Sequence, residues 1–194
     1  MGVFMEKNRF ILFDRDGVIN IEKSYLYKIE DFEYESGVIE GLEKLKKLGY
    51  RFLIITNQAG IARGYYTEED YLKLEKFITE DLENKGIKIE KTYYCPHHPE
   101  GKENYGIECD CRKPNTGNFL KAIEEFQIDV KKSFMVGDRI TDLIPAEKLG
   151  FKTVLVKTGY GMKNISKLAD NGLKSLVVGS ISEFGDFLKK NGAM

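Results

Sequence analysis

The sequence predicts an α/β fold, namely a doubly wound, mainly parallel sheet of the Rossmann-like kind. Short apolar runs typical of buried strands alternate with segments whose apolar residues recur at helical spacing. This alternation requires right-handed crossovers, which cover both faces of a parallel sheet with helices. The chain has 194 residues, and neither a repeat nor a low-complexity tract interrupts the alternation. We therefore expect residues 1–194 to form a single domain without a large cap domain.

The first strand and helix are predicted from the N-terminal fifth of the chain. An apolar run at 9–13 ends in the polar turn Asp14-Arg15-Asp16-Gly17. Apolar residues then recur at helical spacing over 38–48, with Ser36 as a candidate N-cap and Gly49 as a stop. The pattern predicts a buried strand followed by an amphipathic helix.

The following elements repeat this order. An apolar strand at 51–55 ends in Thr56-Asn57-Gln58, and Thr67 caps a long helix with an apolar inner face. A short strand is predicted over 92–95, before a segment that contains all the cysteines. The later predicted elements are a helix carrying Phe119, Ile123 and Phe126, a strand at 133–136, a helix from about Asp142 with Pro145 in its first turn, and a strand at 152–156.

Charge and hydropathy exclude two classes of partner. The chain has 30 Lys and Arg residues against 31 Asp and Glu residues, so its formal net charge is -1 and no global field attracts nucleic acid. The apolar stretches at 10–13 and 52–55 are too short to cross a bilayer, and the N-terminus shows no signal-peptide pattern. We expect a cytoplasmic monomer that binds neither nucleic acid nor membrane.

Polar side chains follow several of the predicted strands. In an open parallel sheet, ligands bind outside the carboxyl ends of the strands, so such side chains can converge on one crevice. Taken singly, each is more often a turn residue, a cap or a solvated charge, and their order along the chain is what favours catalysis. The groups are Asp14 with Asp16, Thr56 with Asn57, Arg112 with Lys113, and Asp138 with Asp142.

These residue types match the needs of phosphate monoester hydrolysis. The reaction requires a nucleophile, an acid for the leaving oxygen, and cations that neutralise the transferring group. Asp14 can attack phosphorus to form an aspartyl phosphate, while Asp16 can protonate the leaving oxygen and later activate water. Asp14, the Asp16 carbonyl and Asp138 can hold Mg²⁺ together with a phosphate oxygen and water. We expect a magnesium-dependent phosphatase that acts on a small phosphorylated metabolite.

Four further polar residues belong to this prediction. Thr56 can donate its hydroxyl to the phosphate, and Lys113 can balance the negative charge of Asp14 and the phosphoryl group. Asp142 would orient either Lys113 or a metal-bound water. Arg63 could reach a second phosphate or cap the long helix, and the sequence leaves both open.

The cysteine segment at 95–111 predicts a structural zinc site. Cys95, Cys109 and Cys111 with His97 supply three thiolates and an imidazole, the ligand set of a closed tetrahedral site. His98 is an alternative fourth ligand, and three free cysteines are the other interpretation. Because Lys113 lies two residues after Cys111, bound zinc would fix the loop that carries it.

Four motifs together resemble the haloacid dehalogenase superfamily, and within it the heptose bisphosphate and histidinol phosphatases. They are Phe13-Asp14-Arg15-Asp16-Gly17-Val18-Ile19-Asn20, Thr56-Asn57-Gln58, Cys111-Arg112-Lys113-Pro114 and Gly137-Asp138-Arg139. The resemblance runs from about 9 to 156 and supports His97 as the zinc ligand.

The resemblance also implies roles for individual residues. It makes Asp14 the nucleophile, Asp16 the acid and base, and Asp138 a magnesium ligand. Arg139 stands where these relatives often carry Lys, and it keeps the charge with a different geometry. Lys23 and Ser24 depart from a His-Gly pair of the relatives' substrate loop. The substrate contacts that it implies are Glu22, Lys23, Ser24, Tyr25, Thr56, Asn57, Gln58, Ala59, Arg112 and Lys113, with Arg139 as a further phosphate-binding residue.

The sequence leaves open which of two substrates is cleaved, and it also leaves open a different class of protein. A sugar bisphosphate is favoured over histidinol phosphate, because the 11 residues between His97 and Cys109 make a longer loop than we associate with histidinol phosphatases. Arg112, Arg63 and Arg139 could then hold the distal phosphate. The alternative class is a non-catalytic zinc module that binds nucleic acid or protein, and the near-zero net charge counts against nucleic acid.

Overall fold

The computed structural model describes residues 8–192. Residues 1–7, where the sequence predicts no signal peptide, and residues 193–194 lie outside the described part of the chain. Six strands are present within 8–192, and every pairing between them is parallel. The strands are β1 (Phe10–Phe13), β2 (Arg51–Asn57), β3 (Ile89–Cys95), β4 (Phe134–Gly137), β5 (Lys152–Val156) and β6 (Leu176–Val178).

The strand order is β3-β2-β1-β4-β5-β6, so the chain winds outward from the central strand β1 in both directions. This is the predicted doubly wound parallel sheet. Its topological switch lies between β1 and β4, where a crevice forms at the carboxyl ends of the strands. The helices are α1 (Val38–Lys47), α2 (Ala59–Arg63), α3 (Glu68–Asn84), α4 (Gly117–Phe126), α5 (Ile140–Lys148), α6 (Gly161–Asp170) and α7 (Ile181–Asn191).

Two hydrophobic layers sandwich the sheet. The four residues of β1 are fully buried and alternate between the layers, because successive strand side chains point to opposite faces. Ile11 and Phe13 pack with α1, α3 and α7, whereas Phe10 and Leu12 pack with α4, α5 and α6. A strand buried on both faces reads as a continuous apolar run, which is why the sequence shows it clearly.

Several boundaries differ from the sequence prediction. Helix α1 has Gly37 as its N-cap rather than Ser36, because that position has a φ of 76°, which glycine adopts without strain. Helix α5 begins at Ile140 rather than near Asp142, which moves Pro145 from the first turn into the second. Asp142 is nevertheless in the first turn, where its carboxylate accepts a hydrogen bond from the Arg139 amide at 3.0 Å. The predicted Thr67 cap is confirmed, and it forms a capping box with Asp70.

Within residues 8–192, no helix is both long enough and apolar enough to span a bilayer.

Candidate active site

The candidate site is a cavity of about 320 Å³ at the carboxyl ends of the central strands. Asp14 directly follows β1, and its amide donates to the carbonyl of Val136 in β4 at 3.0 Å, which fixes the strand tip beside the topological switch. The cavity is lined by Asp14, Asp16, Glu22, Ser24, Tyr25, Thr56, Asn57, Gln58, Tyr66, Arg112, Lys113, Arg139, Thr141, Asp142 and Tyr160.

Lys113 lies at the centre of a buried group of charges. Its ammonium is 2.8 Å from Oδ1 of Asp14 and 2.7 Å from Oδ1 of Asp142, and it also donates to the carbonyl of Ile55 at 2.7 Å. Oδ1 of Asp14 accepts a second hydrogen bond, from the Arg15 amide at 2.8 Å. No donor among the described residues bonds Oδ2 of Asp14. One oxygen of this carboxylate is therefore fixed while the other is free for chemistry.

Burial and neighbouring charges shift the pKa values of this group. Burial raises the pKa of Asp14 to about 7, and the Lys113 ammonium offsets only part of that effect. Burial alone would lower the pKa of Lys113, but the carboxylates of Asp14 and Asp142 raise it above its ordinary value. Lys113 therefore stays protonated, as a fixed positive charge beside the Asp14 carboxylate.

Asp16 is held by a different set of side chains from Asp14. Its carboxylate accepts hydrogen bonds from Arg15 Nη2 at 2.9 and 3.0 Å, from Asn20 at 3.0 Å and from Gln58 Nε2 at 2.9 Å. Burial works in the opposite direction, yet Arg15 and these donors together lower the pKa of Asp16 below its ordinary value. Asp16 is thus ionised and firmly oriented in this structure.

Gln58, which follows β2, connects Asp16 to Thr56 at the end of that strand. Gln58 Nε2 donates both to Asp16 and to the Thr56 hydroxyl oxygen, each at 2.9 Å, and the Tyr66 hydroxyl donates to Gln58 Oε1 at 2.7 Å. Sequence reasoning missed Tyr66. It lies on the loop between α2 and α3 and is buried at 6% exposure. Neither a motif nor a strand end marks it in the sequence.

Most of the predicted substrate contacts line the cavity, and two do not. Glu22, Ser24, Tyr25, Arg112 and Arg139 are all at its wall together with the residues 56–58 and Lys113. Lys23 instead donates its ammonium to the Asp31 carbonyl at 2.7 Å and pairs with Glu33 at 2.5 Å. Ala59 begins α2 and is also outside the lining. The structure therefore gives these two side chains no direct place in the cavity.

Arg139 is positioned by an aromatic ring that the sequence did not single out. Its guanidinium carbon lies 3.7 Å from the centre of the Tyr160 ring, a cation–π contact, and its Nη2 is 3.4 Å from Oε2 of Glu22. Tyr160 belongs to Thr158-Gly159-Tyr160-Gly161, which the sequence suggests only as a loop after a strand. The aromatic residue beside two glycines is the signal that could have marked it.

Asp138 has the environment of a metal ligand. It is fully buried, its Oδ2 accepts from the Tyr160 amide at 2.7 Å, and its Oδ1 has no hydrogen-bond partner among the described residues. Burial, followed by the charges of Asp142 and Asp14, raises its pKa to about 8. A Cβ on Gly17 or Gly159 would lie within 2.4 Å or 2.2 Å of Oδ2, so only glycine fits at either position.

Oxygen atoms of Asp14, Asp138 and Asp142 lie within 4.8 Å of one another. The Lys113 ammonium pairs with two of these buried carboxylates, Asp14 and Asp142, whereas among the described residues Oδ1 of Asp138 has no hydrogen bond and faces only the Arg139 guanidinium, at 3.9 Å. This donor set fits a hard dication such as Mg²⁺. Both oxygens of Asp142 already accept hydrogen bonds, from Lys113 and from the Arg139 amide, which favours Asp14 and Asp138 over Asp142 as side-chain ligands.

The four predicted zinc ligands come together after β3. The sulfur atoms of Cys95, Cys109 and Cys111 are 3.1, 3.2 and 3.5 Å apart, and Nδ1 of His97 is 3.3 Å from Cys111 Sγ and 3.8 Å from Cys95 Sγ. A tetrahedral zinc with bonds of about 2.3 Å to sulfur places its ligand atoms about 3.5–3.8 Å apart. The cluster therefore fits zinc after small adjustments.

His98 lies outside this cluster. Its Nδ1 accepts a hydrogen bond from the Glu100 amide at 3.1 Å, and its Nε2 is 3.3 Å from Nη2 of Arg63. Arg63 also pairs with Glu100 at 3.4 Å, and it is not among the residues that line the cavity. Arg63 consequently ties α2 to the cysteine segment. Arg112, by contrast, lines the cavity and donates to the carbonyl of His97 at 3.2 Å.

Comparison with known proteins agrees with this geometry. A family model described as HAD-hydrolase-like matches residues 110–183. The D-glycero-beta-D-manno-heptose-1,7-bisphosphate 7-phosphatase of Pasteurella multocida is 42% identical over 180 residues, which is 92% of this chain and 96% of that protein. The D-glycero-alpha-D-manno-heptose-1,7-bisphosphate 7-phosphatase of Photorhabdus laumondii is 47% identical over 156 residues, 79% of this chain and 85% of that protein.

A solved structure gives the same result at the level of the fold. The D,D-heptose 1,7-bisphosphate phosphatase from B. bronchiseptica, complexed with magnesium and phosphate, superposes with a TM-score of 0.82 at 26% identity, over 95% of this chain and 99% of that chain. Identity above 40% along nearly the whole of a relative, with this shared fold, shows a phosphatase rather than a binding module. The chain belongs to the heptose-1,7-bisphosphate 7-phosphatase family of haloacid dehalogenase-like hydrolases.

Proposed function

We propose that this phosphatase removes the 7-phosphate of D-glycero-D-manno-heptose 1,7-bisphosphate through a phospho-aspartate on Asp14. The observation that carries the proposal is the state of the Asp14 carboxylate at the tip of β1. One of its oxygens is fixed by Lys113 and the Arg15 amide, whereas the other has no hydrogen bond and lies at the wall of the cavity. This is the arrangement that a carboxylate nucleophile requires.

The chain's own residues supply the proton transfers. Asp16 is ionised in the free protein and takes up a proton when the negatively charged phosphate binds beside it. In the first step the free oxygen of Asp14 attacks phosphorus, the bond from phosphorus to the sugar oxygen breaks, and Asp16 gives that proton to the sugar oxygen. In the second step Asp16 takes a proton from water as the water attacks phosphorus, and the bond from phosphorus to the Asp14 oxygen breaks, which restores the Asp14 carboxylate and releases inorganic phosphate. Lys113 offsets the charge that accumulates on the phosphoryl group throughout.

Asp14, the backbone carbonyl of Asp16 and Asp138 would hold Mg²⁺ in this proposal. A bound dication at these residues neutralises charge on the phosphoryl oxygens and lets carboxylates meet a dianionic substrate. Oδ1 of Asp138 supports this proposal, because it accepts no hydrogen bond from the described residues and a buried carboxylate oxygen in that state is otherwise costly; the nearest cation is Arg139 Nε, 3.9 Å away.

The zinc proposed at Cys95, His97, Cys109 and Cys111 has a structural role. The Arg112 side chain donates to the His97 carbonyl, and Lys113 comes two residues after Cys111. A closed zinc site would therefore fix both cations at the cavity wall without touching the substrate.

A second anionic group on the substrate fits the charge of the outer cavity. Arg112 and Arg139 line it in addition to Lys113, and Lys113 is already engaged with Asp14. The substrate loop contributes Glu22, Ser24 and Tyr25, with Thr56, Asn57 and Gln58 nearer the acids. We propose that Arg112 and Arg139 bind the distal phosphate while the proximal one faces Asp14. We do not assign Arg63 this role, because it contacts His98 and Glu100 and is not among the residues that line the cavity.

The proposal is tested by phosphate release from a panel of phosphate esters, with and without Mg²⁺. The panel contains both anomers of heptose 1,7-bisphosphate, heptose 1-phosphate and histidinol phosphate. We expect magnesium-dependent loss of one phosphate from the bisphosphate, with kcat/KM well above that for histidinol phosphate. An equal or higher kcat/KM on histidinol phosphate would reject the sugar substrate and leave the phosphatase chemistry standing.

We further propose that residues 1–194 act as one domain in a cytoplasmic monomer. A sedimentation measurement tests whether the protein is a monomer.

A further inference from the structure

Arg15 lies beneath the candidate site with a carboxylate on each side. Its side chain is fully buried although it carries a guanidinium. Nη2 donates to both oxygens of Asp16, at 2.9 and 3.0 Å. Nη1 lies 3.9 Å from Oε2 of Glu75, a residue of α3. A buried row of alternating charge therefore joins the loop after β1 to helix α3.

Glu75 is itself firmly held. Its residue exposure is 8%, its Oε1 accepts from the Thr92 hydroxyl at 2.5 Å, and its Oε2 accepts from the Tyr71 hydroxyl at 3.3 Å. The Tyr71 ring also lies 5.4 Å from the guanidinium carbon of Arg15, within cation–π range. Glu75 is thus a fixed counter-charge, unlike the solvated acids on the outer face of α3.

This counter-charge bears directly on Asp16. Nη1 and Nε of Arg15 have no hydrogen-bond acceptor among the described residues, so the carboxylate of Glu75 is the charge that faces Nη1. In a buried environment such a charge interacts strongly with its neighbours. Without the Glu75 charge, Asp16 would be the one carboxylate that pairs with Arg15 among the described residues. The guanidinium would then hold both oxygens of Asp16 more tightly.

We propose that Glu75 is a positioning residue, which through Arg15 allows the Asp16 carboxyl group to turn from the guanidinium toward the leaving oxygen. The inference rests on the proposed acid role of Asp16. In the first step the proton moves from Asp16 to the leaving oxygen as the bond from phosphorus to that oxygen breaks and the bond to Asp14 forms. Loss of the Glu75 charge slows this step only where the leaving oxygen needs the proton.

The test compares two leaving groups in the Glu75→Gln variant. One substrate is the alkyl phosphate that the wild type turns over best in the panel above, and the other is p-nitrophenyl phosphate, whose leaving group departs without a proton. We measure kcat/KM because it reports the steps up to the first phosphoryl transfer. We expect kcat/KM to fall about tenfold for the alkyl phosphate and less than about twofold for p-nitrophenyl phosphate, since general acid catalysis helps only the poorer leaving group.

Asp81→Asn is the matched control, because Asp81 is another carboxylate of α3 that accepts from a tyrosine hydroxyl, that of Tyr34 at 2.7 Å, and it pairs with Lys85 rather than with Arg15. It should leave both values unchanged. If Glu75→Gln unfolds, Thr92→Val and Tyr71→Phe replace it, because each loosens Glu75 but keeps its charge. In these variants kcat/KM should again fall more for the alkyl phosphate than for p-nitrophenyl phosphate, but by a smaller factor than expected for Glu75→Gln.

Three outcomes count against the inference. An equal fall in kcat/KM for both substrates would mean that Glu75 has a purely structural role. An unchanged kcat/KM for the alkyl phosphate would mean that Glu75 has no part in the mechanism. Either result would leave the proposed function intact. If Asp16→Asn shows no preference for p-nitrophenyl phosphate over the alkyl phosphate, the acid role itself fails, and the inference fails with it.

Discussion

Asn57 and the backbone of Lys113 exchange two hydrogen bonds, each of 3.0 Å. The Asn57 amide nitrogen donates to the Lys113 carbonyl, and the Lys113 amide donates to Oδ1 of Asn57. The pair clamps the end of β2 to the segment that follows Cys111. Because the Lys113 ammonium lies 2.8 Å from Asp14, this clamp sets the position of the cation beside the nucleophile.

Asn57→Ala should therefore lower kcat more than it raises KM. The substitution leaves the charge of Lys113 in place but frees its backbone, and displacements of about 1 Å cost about a hundredfold in rate. Steady-state kinetics on the best substrate measures the effect. Asn171→Ala removes an exposed amide that bonds only the Lys167 carbonyl within the described residues, and it should change neither value. Wild-type kcat in Asn57→Ala would show that the zinc-side loop positions Lys113 by itself.

The sequence predicted the convergence of Asp14, Thr56, Lys113 and Asp138 because parallel strands end at one edge of a sheet. Strands buried on both faces, such as β1, are continuous apolar runs, so their ends are visible in the sequence. The predicted roles of these residues remain predictions, since geometry alone does not test a mechanism. The zinc ligand set was also predictable, because cysteine and histidine ligands are recognised from their residue types and their spacing along the chain.

Long-range packing explains what the sequence analysis missed. Glu75 lies one turn after Tyr71 on the inner face of α3, but a glutamate there is ordinarily taken as solvated, and only the fold brings Arg15 to it. The C-terminal elements α6, β6 and α7 were also missed. Strand β6 has three residues, too few for a periodic signal, although α6 and α7 carry apolar residues at helical spacing that could have been recognised.

Asp14→Asn should abolish turnover without unfolding the protein. An amide cannot form the acyl phosphate, so kcat should fall by at least about a thousandfold. Burial raises the pKa of Asp14, which means that the ionised carboxylate is costly in the folded protein without metal. The melting temperature of the metal-free variant should hence equal or exceed that of the wild type. Purified variant with substantial turnover would require another nucleophile.

His97→Ala and His98→Ala form a matched pair for the zinc site. Elemental analysis of the wild type should find about one zinc per chain, and His97→Ala should lose zinc and melt at a lower temperature because the metal links folding to ligand binding. His98→Ala should retain zinc, since its ring bonds Arg63 and Glu100 rather than the sulfur cluster. Loss of zinc from both variants, or from His98→Ala alone, would contradict the assignment of His97.

Arg112→Ala tests how the enzyme selects a bisphosphate. Arg112 lines the cavity and is half-withdrawn from solvent, with Nη1 on the His97 carbonyl at 3.2 Å, so its fork is held in one orientation. Burial lowers the pKa of Arg112, but the group remains a cation at neutral pH because the ordinary pKa of arginine is so high.

Removal of the Arg112 side chain should reduce kcat/KM for heptose 1,7-bisphosphate by about ten- to a hundredfold, the value of a charge-assisted bidentate contact. It should leave kcat/KM for a monophosphate within about twofold. Lys174→Ala, the loss of an exposed cation on the loop after α6, is the control for the change in net charge and should alter neither. A parallel fall on both substrates would mean that Arg112 acts on the transferring phosphate, and the distal phosphate would then have to depend on Arg139.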